Sequence, residues 1–171
     1  MADLFSNFLE KPSGETFSAL RAWLIQQPEF DYASLDLHEV AVLATEEDYA
    51  ALIDRADDAM PNWLLSPSMH QYLSEAARAE GEEDRAQAEE YMMKACLAGL
   101  QGSGDGSDIS PYLITHPADE YDLLESLGKE VQEQSNVEGS APPLDRIVCT
   151  DGTEVYFNIS ASIPFIGTAT L

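Results

Sequence analysis

Few residues in this chain are spaced for chemistry. Asp105 and Asp108 stand in the Gly-rich stretch GSGDGSDIS at 102–110. A calcium loop of the EF type needs about five oxygen ligands ending in a bidentate Glu, and no Glu stands at that offset, so a plain turn is the simpler reading. A phosphate loop runs from strand to helix so that a helix dipole meets the anion; here a helix precedes and a strand follows. His38, His70 and His116 are scattered, without HExxH or Cys/His spacing, and read as capping or surface residues. Asp119, Glu120, Asp122 and Glu125 crowd one segment. Glycoside hydrolysis needs two carboxyls across a cleft, whereas acids in the first turn of a helix are accounted for by its dipole. Ser66 and Ser135 lack a GxSxG context, and Cys96 and Cys149 lie in different halves outside any CxxC, as buried reduced thiols would. No catalytic, cofactor-binding or metal-binding residue is assigned, and no enzyme is expected. The residues singled out instead are Tyr49, Trp63 and Tyr72, aromatic side chains placed to anchor a partner.

The elements that must position these residues begin with 66–100, two amphipathic helices joined by a tight turn. Ser66 can cap the first and Pro67 can begin it, because the amide there has no intrahelical partner. Met69, Tyr72, Leu73, Ala76 and Ala77 form one apolar face, Gly81 ends it, and Ala86, Tyr91, Met92, Ala95, Cys96 and Leu100 form the next. So short a turn makes the helices antiparallel neighbours. Ahead of them, Asp3 opens a short helix with Leu4, Phe5, Phe8 and Leu9. A helix from Ser13 to Gln27 carries Phe17, Leu20, Trp23 and Leu24. A third, from Ser34, uses Leu35, Leu37, Val40 and Leu43. Thr45 with Asp48 resembles a capping box for a fourth helix through Tyr49, Leu52, Ile53, Ala56 and Met60, closed by Pro61.

The periodicity changes at Gly102, from 3.6 to 2. A short strand at 111–115, a helix from Pro117 to Gly128 with a Tyr121, Leu124 and Leu127 stripe, and a polar edge strand at 129–137 are expected in turn. Asp151-Gly152 between two β-rich runs calls for a two-residue hairpin turn. That register sets Val148 opposite Val155 and Leu144 opposite Ile159 on the core face with Phe157, leaving Ile147, Cys149 and Tyr156 on the other. The fold expected is α+β: an N-terminal TPR-like helical bundle at 1–101, then a small C-terminal β-α-β-β-β element at 102–171.

Eight Lys and Arg against 32 Asp and Glu give a net charge of −24. That field repels phosphate backbones and anionic lipid, so neither nucleic acid nor membrane is an expected partner. The hydrophobic content of 44% is that of a folded protein, which puts the acids on solvated faces. The start has no basic n-region and no later stretch is apolar enough to span a bilayer, so a complete, cytoplasmic protein is expected. The uncharged end, with Ile163, Phe165 and Ile166, either packs across the sheet or joins two copies as a homo-oligomer.

Two resemblances add to this. Gly81 followed by Ala86 resembles the turn and small residue of tetratricopeptide hairpins; Tyr91 and Ala95 are shifted and no second copy recurs at about 34 residues, so the likeness is to a TPR-like bundle. The order SGDG at 103–106, PYLI at 111–114, DEYDLLESLG at 119–128, QS at 134–135 and DGTEVYFNI at 151–159 is similar to domain of unknown function 4919, a bacterial family that follows TPR-like helices. That pattern has a hydrophobic residue after QS and Asp at the penultimate place of the last motif, so the chain departs from it at Asn136 and Asn158. The resemblance implies no activity. The expected function is therefore a non-catalytic protein-protein interaction module whose helices receive a protein or peptide partner. The alternative is an acidic inhibitor or immunity-type protein that binds a basic partner, and an enzyme of unknown class stands third.

Overall fold

The computed structural model describes residues 2–162. α1 (Ala2–Glu10) packs on α2 (Gly14–Leu24), which opens with a reciprocal cap: the Thr16 amide donates to Ser13 Oγ at 3.3 Å and the Ser13 amide to Thr16 Oγ1 at 3.2 Å. α3 (Asp36–Thr45) and α4 (Tyr49–Ala59) follow. The expected Thr45 box is replaced by Asp48 alone, which accepts from the Ala51 amide at 3.3 Å; Thr45 is still inside α3, its hydroxyl donating back to the Ala41 carbonyl. α5 (Pro67–Ala79) starts as expected, with Ser66 Oγ accepting from the Met69 amide. Gly81, at φ +80°, turns the chain into α6 (Glu83–Gly102), a left-handed conformation that glycine adopts without steric cost. Ser74 Oγ to Ala86 O and His70 Nδ1 to Glu89 Oε2 tie successive turns of this pair.

β1 (Tyr112–Leu113), α7 (Ala118–Ser126), β2 (Val131–Val137), β3 (Leu144–Cys149) and β4 (Glu154–Asn158) complete an α+β protein in the expected β-α-β-β-β order. The sheet runs β1-β4-β3-β2, with β1 parallel to β4 and the other pairs antiparallel. β2 is the polar edge strand. A 3-10 turn (Ser160–Ser162) ends the described chain; Ile163, Phe165 and Ile166 lie outside the described residues. Phe17, Leu20 and Leu24 of α2, Cys96 and Leu100 of α6, Leu123 and Leu124 of α7, and Ile147, Val155 and Phe157 of the sheet belong to one buried cluster. Phe17 reaches that position because Gly99 leaves room: a Cβ there would stand 2.6 Å from the ring.

Two faces differ from expectation. Ile147 pairs with Val155 and Val148 with Glu154, one residue away from the expected register. The cause is the turn. The Cys149 amide donates to the Thr153 carbonyl at 2.8 Å across a three-residue loop with Gly152 at φ +80°, in place of a two-residue turn. A slip of one residue exchanges the faces of a strand, so Ile147 and Cys149 are buried with Asp145. On α7 the buried pair is Leu123 and Leu124, and Tyr121 is 47% exposed.

Candidate functional site

A groove of about 470 Å³ opens where the α2–α3 connector meets the link from α4 to α5. Trp23, Leu24, Phe30, Met60 and Pro61 supply its apolar lining, and the exposed Glu29, Asp31 and Asp58 supply carboxylates. Its two walls are clamped together. The Asp31 amide donates to Asn62 Oδ1 at 3.0 Å, and Asn62 Nδ2 returns to the Asp31 carbonyl at 3.3 Å. Asp36, at one side, is ion-paired to Arg55 and accepts from Trp63 Nε1 at 3.2 Å; burial works against its charge, but Ser34, Arg55 and Trp63 together hold its carboxyl below the ordinary range. A larger depression of about 760 Å³ at the sheet's edge is lined by Ile109, Pro111, Leu113, Val137 and Pro142, with Asp108 the one carboxylate among the described residues that line it.

Beneath the groove lies His116. Its ring stacks on Trp63 at 3.9 Å between centroids, inclined 13°, and meets Phe30 at 5.4 Å. Nε2 faces the Asn62 carbonyl at 2.9 Å and Nδ1 stands 3.4 Å from the Tyr32 carbonyl; the neutral ring has one N–H to donate, and the shorter contact, to Asn62, is the one that takes it. Burial lowers its pKa. Of the three aromatic residues expected to anchor a partner, Trp63 is buried behind the groove, while Tyr49 and Tyr72 are half-buried against a second core cluster with Leu52, Met69 and Leu73 and do not line it. His116 and His70 are buried, contrary to the reading of them as capping or surface residues, because backbone carbonyls stand ready to pair with each: Asn62 for His116 and Leu64 for His70.

The loop that carries His116 also enters a buried polar cluster between helices and sheet. Asp119 Oδ2 accepts from the amides of Thr115 at 2.7 Å and His116 at 2.9 Å. Arg21 of α2 donates through Nε to the Ile114 carbonyl at 2.6 Å, and its Nη2 lies 3.5 Å from Ser160 Oγ. Gln134 Nε2 on β2 donates both to Glu120 Oε2, at 2.9 Å, and to Asp145 Oδ2, and the exposed Tyr121 hydroxyl donates to Gln134 Oε1. Asp119, Glu120 and Asp145 are each at most 6% exposed. Burial pushes the Asp119 carboxyl up to about 7 and the Glu120 carboxyl up to about 8, the latter helped by the neighbouring Asp145 and Asp119. Burial and the same three acids raise Tyr32 to about 12. Among the described residues, Thr115 Oγ1, Asp119 Oδ1 and Glu120 Oε1 have no hydrogen-bond partner. Asp122 is apart from this group, accepting from the Ser68 amide at 3.0 Å at the start of α5. Among the described residues, no three His, Cys, Asp or Glu side chains are grouped so as to hold a metal ion.

The acids of α7 do stand in its first turn, but the dipole alone does not place them. Asp119 and Glu120 precede Leu123 and Leu124 by four residues each and so share the inward face. A stripe drawn through Tyr121 conceals that spacing. Asp145 was hidden by the strand register, since it shares a face with Ile147 and Cys149. Arg21 stands four residues after Phe17 and three before Leu24, an inward position that a charged residue type disguises.

The family model for Domain of unknown function (DUF4919) matches residues 16–165. The chain belongs to that family. The match takes in both the groove and the buried polar cluster of this DUF4919 protein, together with α2 from Thr16 onward, α3 to α7 and the sheet. No curated protein and no solved structure gives a significant match. No helix among the described residues is long and apolar enough to cross a membrane.

Proposed function

We propose that this DUF4919 protein is a non-catalytic protein-protein interaction module of the bacterial cytoplasm. Its TPR-like helices receive, in the groove between Phe30 and Met60, a segment of a partner protein that carries an apolar side chain flanked by Lys or Arg. The observation that supports this is the pairing of an apolar lining with the exposed carboxylates of Glu29, Asp31 and Asp58. An apolar pocket supplies affinity, and a few fixed charges select orientation and sign. Trp63 serves from behind, holding His116 against both walls. The clamp between Asp31 and Asn62 keeps the groove open before a partner arrives, which lowers the ordering cost of binding.

A peptide array probed with the chain and with Glu29→Lys/Asp58→Lys tests the reading. Both substitutions fall on exposed positions. Hits that place an aromatic or aliphatic residue beside Lys or Arg, and that vanish with the double variant, support it; hits indifferent to the charge reversal refute it. The net charge of −24 favours a second reading, an acidic inhibitor steered onto a basic protein. Salt separates the two, because at roughly half-molar salt the Debye length is only a few ångströms. A partner retained there is held by the groove, and one released is held by long-range charge.

A further inference from the structure

The polar cluster under α7 is incompletely satisfied: beside the unpartnered Thr115 hydroxyl, two carboxylate oxygens are left over. Asp119 Oδ1 and Glu120 Oε1 are acceptors without partners among the described residues, in side chains that are at most 1% exposed. A buried network that serves only to hold a fold is ordinarily satisfied throughout, since each orphaned group costs its full desolvation. Arg21, the guanidinium of the cluster, spends its hydrogen bonds on the Ile114 carbonyl and Ser160. The donor between Glu120 and Asp145 is the Gln134 amide, a neutral group that offers one hydrogen to each carboxyl. Gln134 is an exposed residue on an edge strand, secured from outside by an exposed Tyr121. Gln134 and Tyr121 are thus surface side chains that stand in hydrogen-bonded series over the two carboxyls. Among the described residues, Gln134 is the one N–H donor to Glu120, and Asp145 has besides it only the Arg146 amide, at 3.0 Å on Oδ1; the acids also lack the three-ligand convergence that a metal ion requires.

We propose that Glu120 and Asp145, with Asp119 behind them, form a binding site for an N–H donor cation, a primary ammonium or guanidinium group, for which the Gln134 amide is the resident substitute. The cation takes the place of the Gln134 Nε2 hydrogens and supplies a further donor to Glu120 Oε1. Charge-assisted bonds of this kind exceed the neutral amide bonds they replace. Because burial favours the protonated Glu120 carboxyl, the entering cation displaces a proton, and binding strengthens as pH rises. The site is separate from the groove, so either reading can fail without the other.

The full-length chain is titrated at pH 8 with methylammonium, agmatine and an end-blocked Gly-Lys-Gly peptide, following thermal stability and heat of binding. Tetramethylammonium, which carries the same charge without an N–H, is the control at equal ionic strength. The expected result is stabilisation by the N–H cations over the control, tighter binding by Gln134→Ala, and a loss of about tenfold in Glu120→Gln, the scale of one charge-assisted hydrogen bond. Asp145→Asn replaces Glu120→Gln if the latter does not fold. Response to methylammonium and agmatine alone marks a free amine as the ligand, and response to the blocked peptide extends the site to a partner's lysine. Equal effects of methylammonium and tetramethylammonium, or unaltered binding in the carboxamide variants, overturn the proposal. So does the finding that Glu120→Gln stabilises the chain while no amine binds, since the cluster then holds only a proton.

Discussion

Stability should fall as pH rises from 6.5 to 8.5, opposite to what acids paired with cations would give. Asp119 is held at about 7 against an ordinary 3.8, and Glu120 at about 8 against 4.5. A carboxyl whose folded pKa lies above its unfolded value binds a proton in the native state that the unfolded chain has already released. Its stabilisation is fully present only below the unfolded pKa and is lost progressively as pH rises from there through the folded pKa. Across this window the unfolded carboxyls are fully ionised, so the slope is set by how much proton the native carboxyls still hold, and the curve levels off once they too have ionised. By linkage the loss is roughly 2 kcal/mol from Glu120 and about 1 kcal/mol from Asp119, or some 3 kcal/mol together. The window starts at 6.5 because His116 works the other way: burial lowers its pKa, so its neutral native form costs stability only as pH falls through the unfolded value. Asp151 and Glu154, held near 2 by Thr153 and Arg146 respectively, also lose their contribution only in acid. Relief of general repulsion on a chain of charge −24 shares the predicted sign, so the decisive comparison is with Glu120→Gln, which keeps shape and an acceptor for Gln134 while removing the titration. Urea unfolding at fixed ionic strength should show the variant about 2 kcal/mol less sensitive to pH than the parent over this range. Parallel curves for the two proteins, or a parent whose stability rises with pH, would refute the placement of Glu120 as a buried acid.

Two further outcomes follow from the packing. Gly99→Ala places a Cβ 2.6 Å from the Phe17 ring and should lower the urea midpoint by an amount equivalent to about 1–3 kcal/mol, the usual cost of overpacking. Because one buried cluster takes in α2, α6, α7 and the sheet, the helical part and the sheet should melt as a single unit, and limited proteolysis should leave the 102–107 junction intact. Two stable fragments cut there would show independent domains.

Local signals in the chain were enough for its element order. Ser13, Ser66 and Pro67 mark helix starts, Gly81 marks a reversal, and the change of period at Gly102 marks the passage from bundle to sheet; each acts through its own backbone conformation and needs no distant partner. The polar edge strand at β2 was legible for the same reason, since Val131 and Val137 are its only large apolar residues. Which face of an element turns inward was a different matter. On α7 the apolar residues Tyr121, Leu123, Leu124 and Leu127 allow more than one stripe, and contact with α5 and α6 selected Leu123 and Leu124, carrying Asp119 and Glu120 inside. On β3 a single additional residue in the hairpin loop reversed the strand's faces and took Asp145 inward with Ile147 and Cys149. The candidate sites were therefore beyond the sequence because both are assembled from elements far apart in the chain. The groove joins Phe30 to Met60 across His116, and the acid cluster joins Arg21, Asp119 and Asp145. Burial, which raises the carboxyl pKa values, is a property of that assembly and of no single segment: the same Asp119-Glu120 pair on a solvated helix would be two ordinary acids near a dipole, and only tertiary packing makes them proton-holding groups.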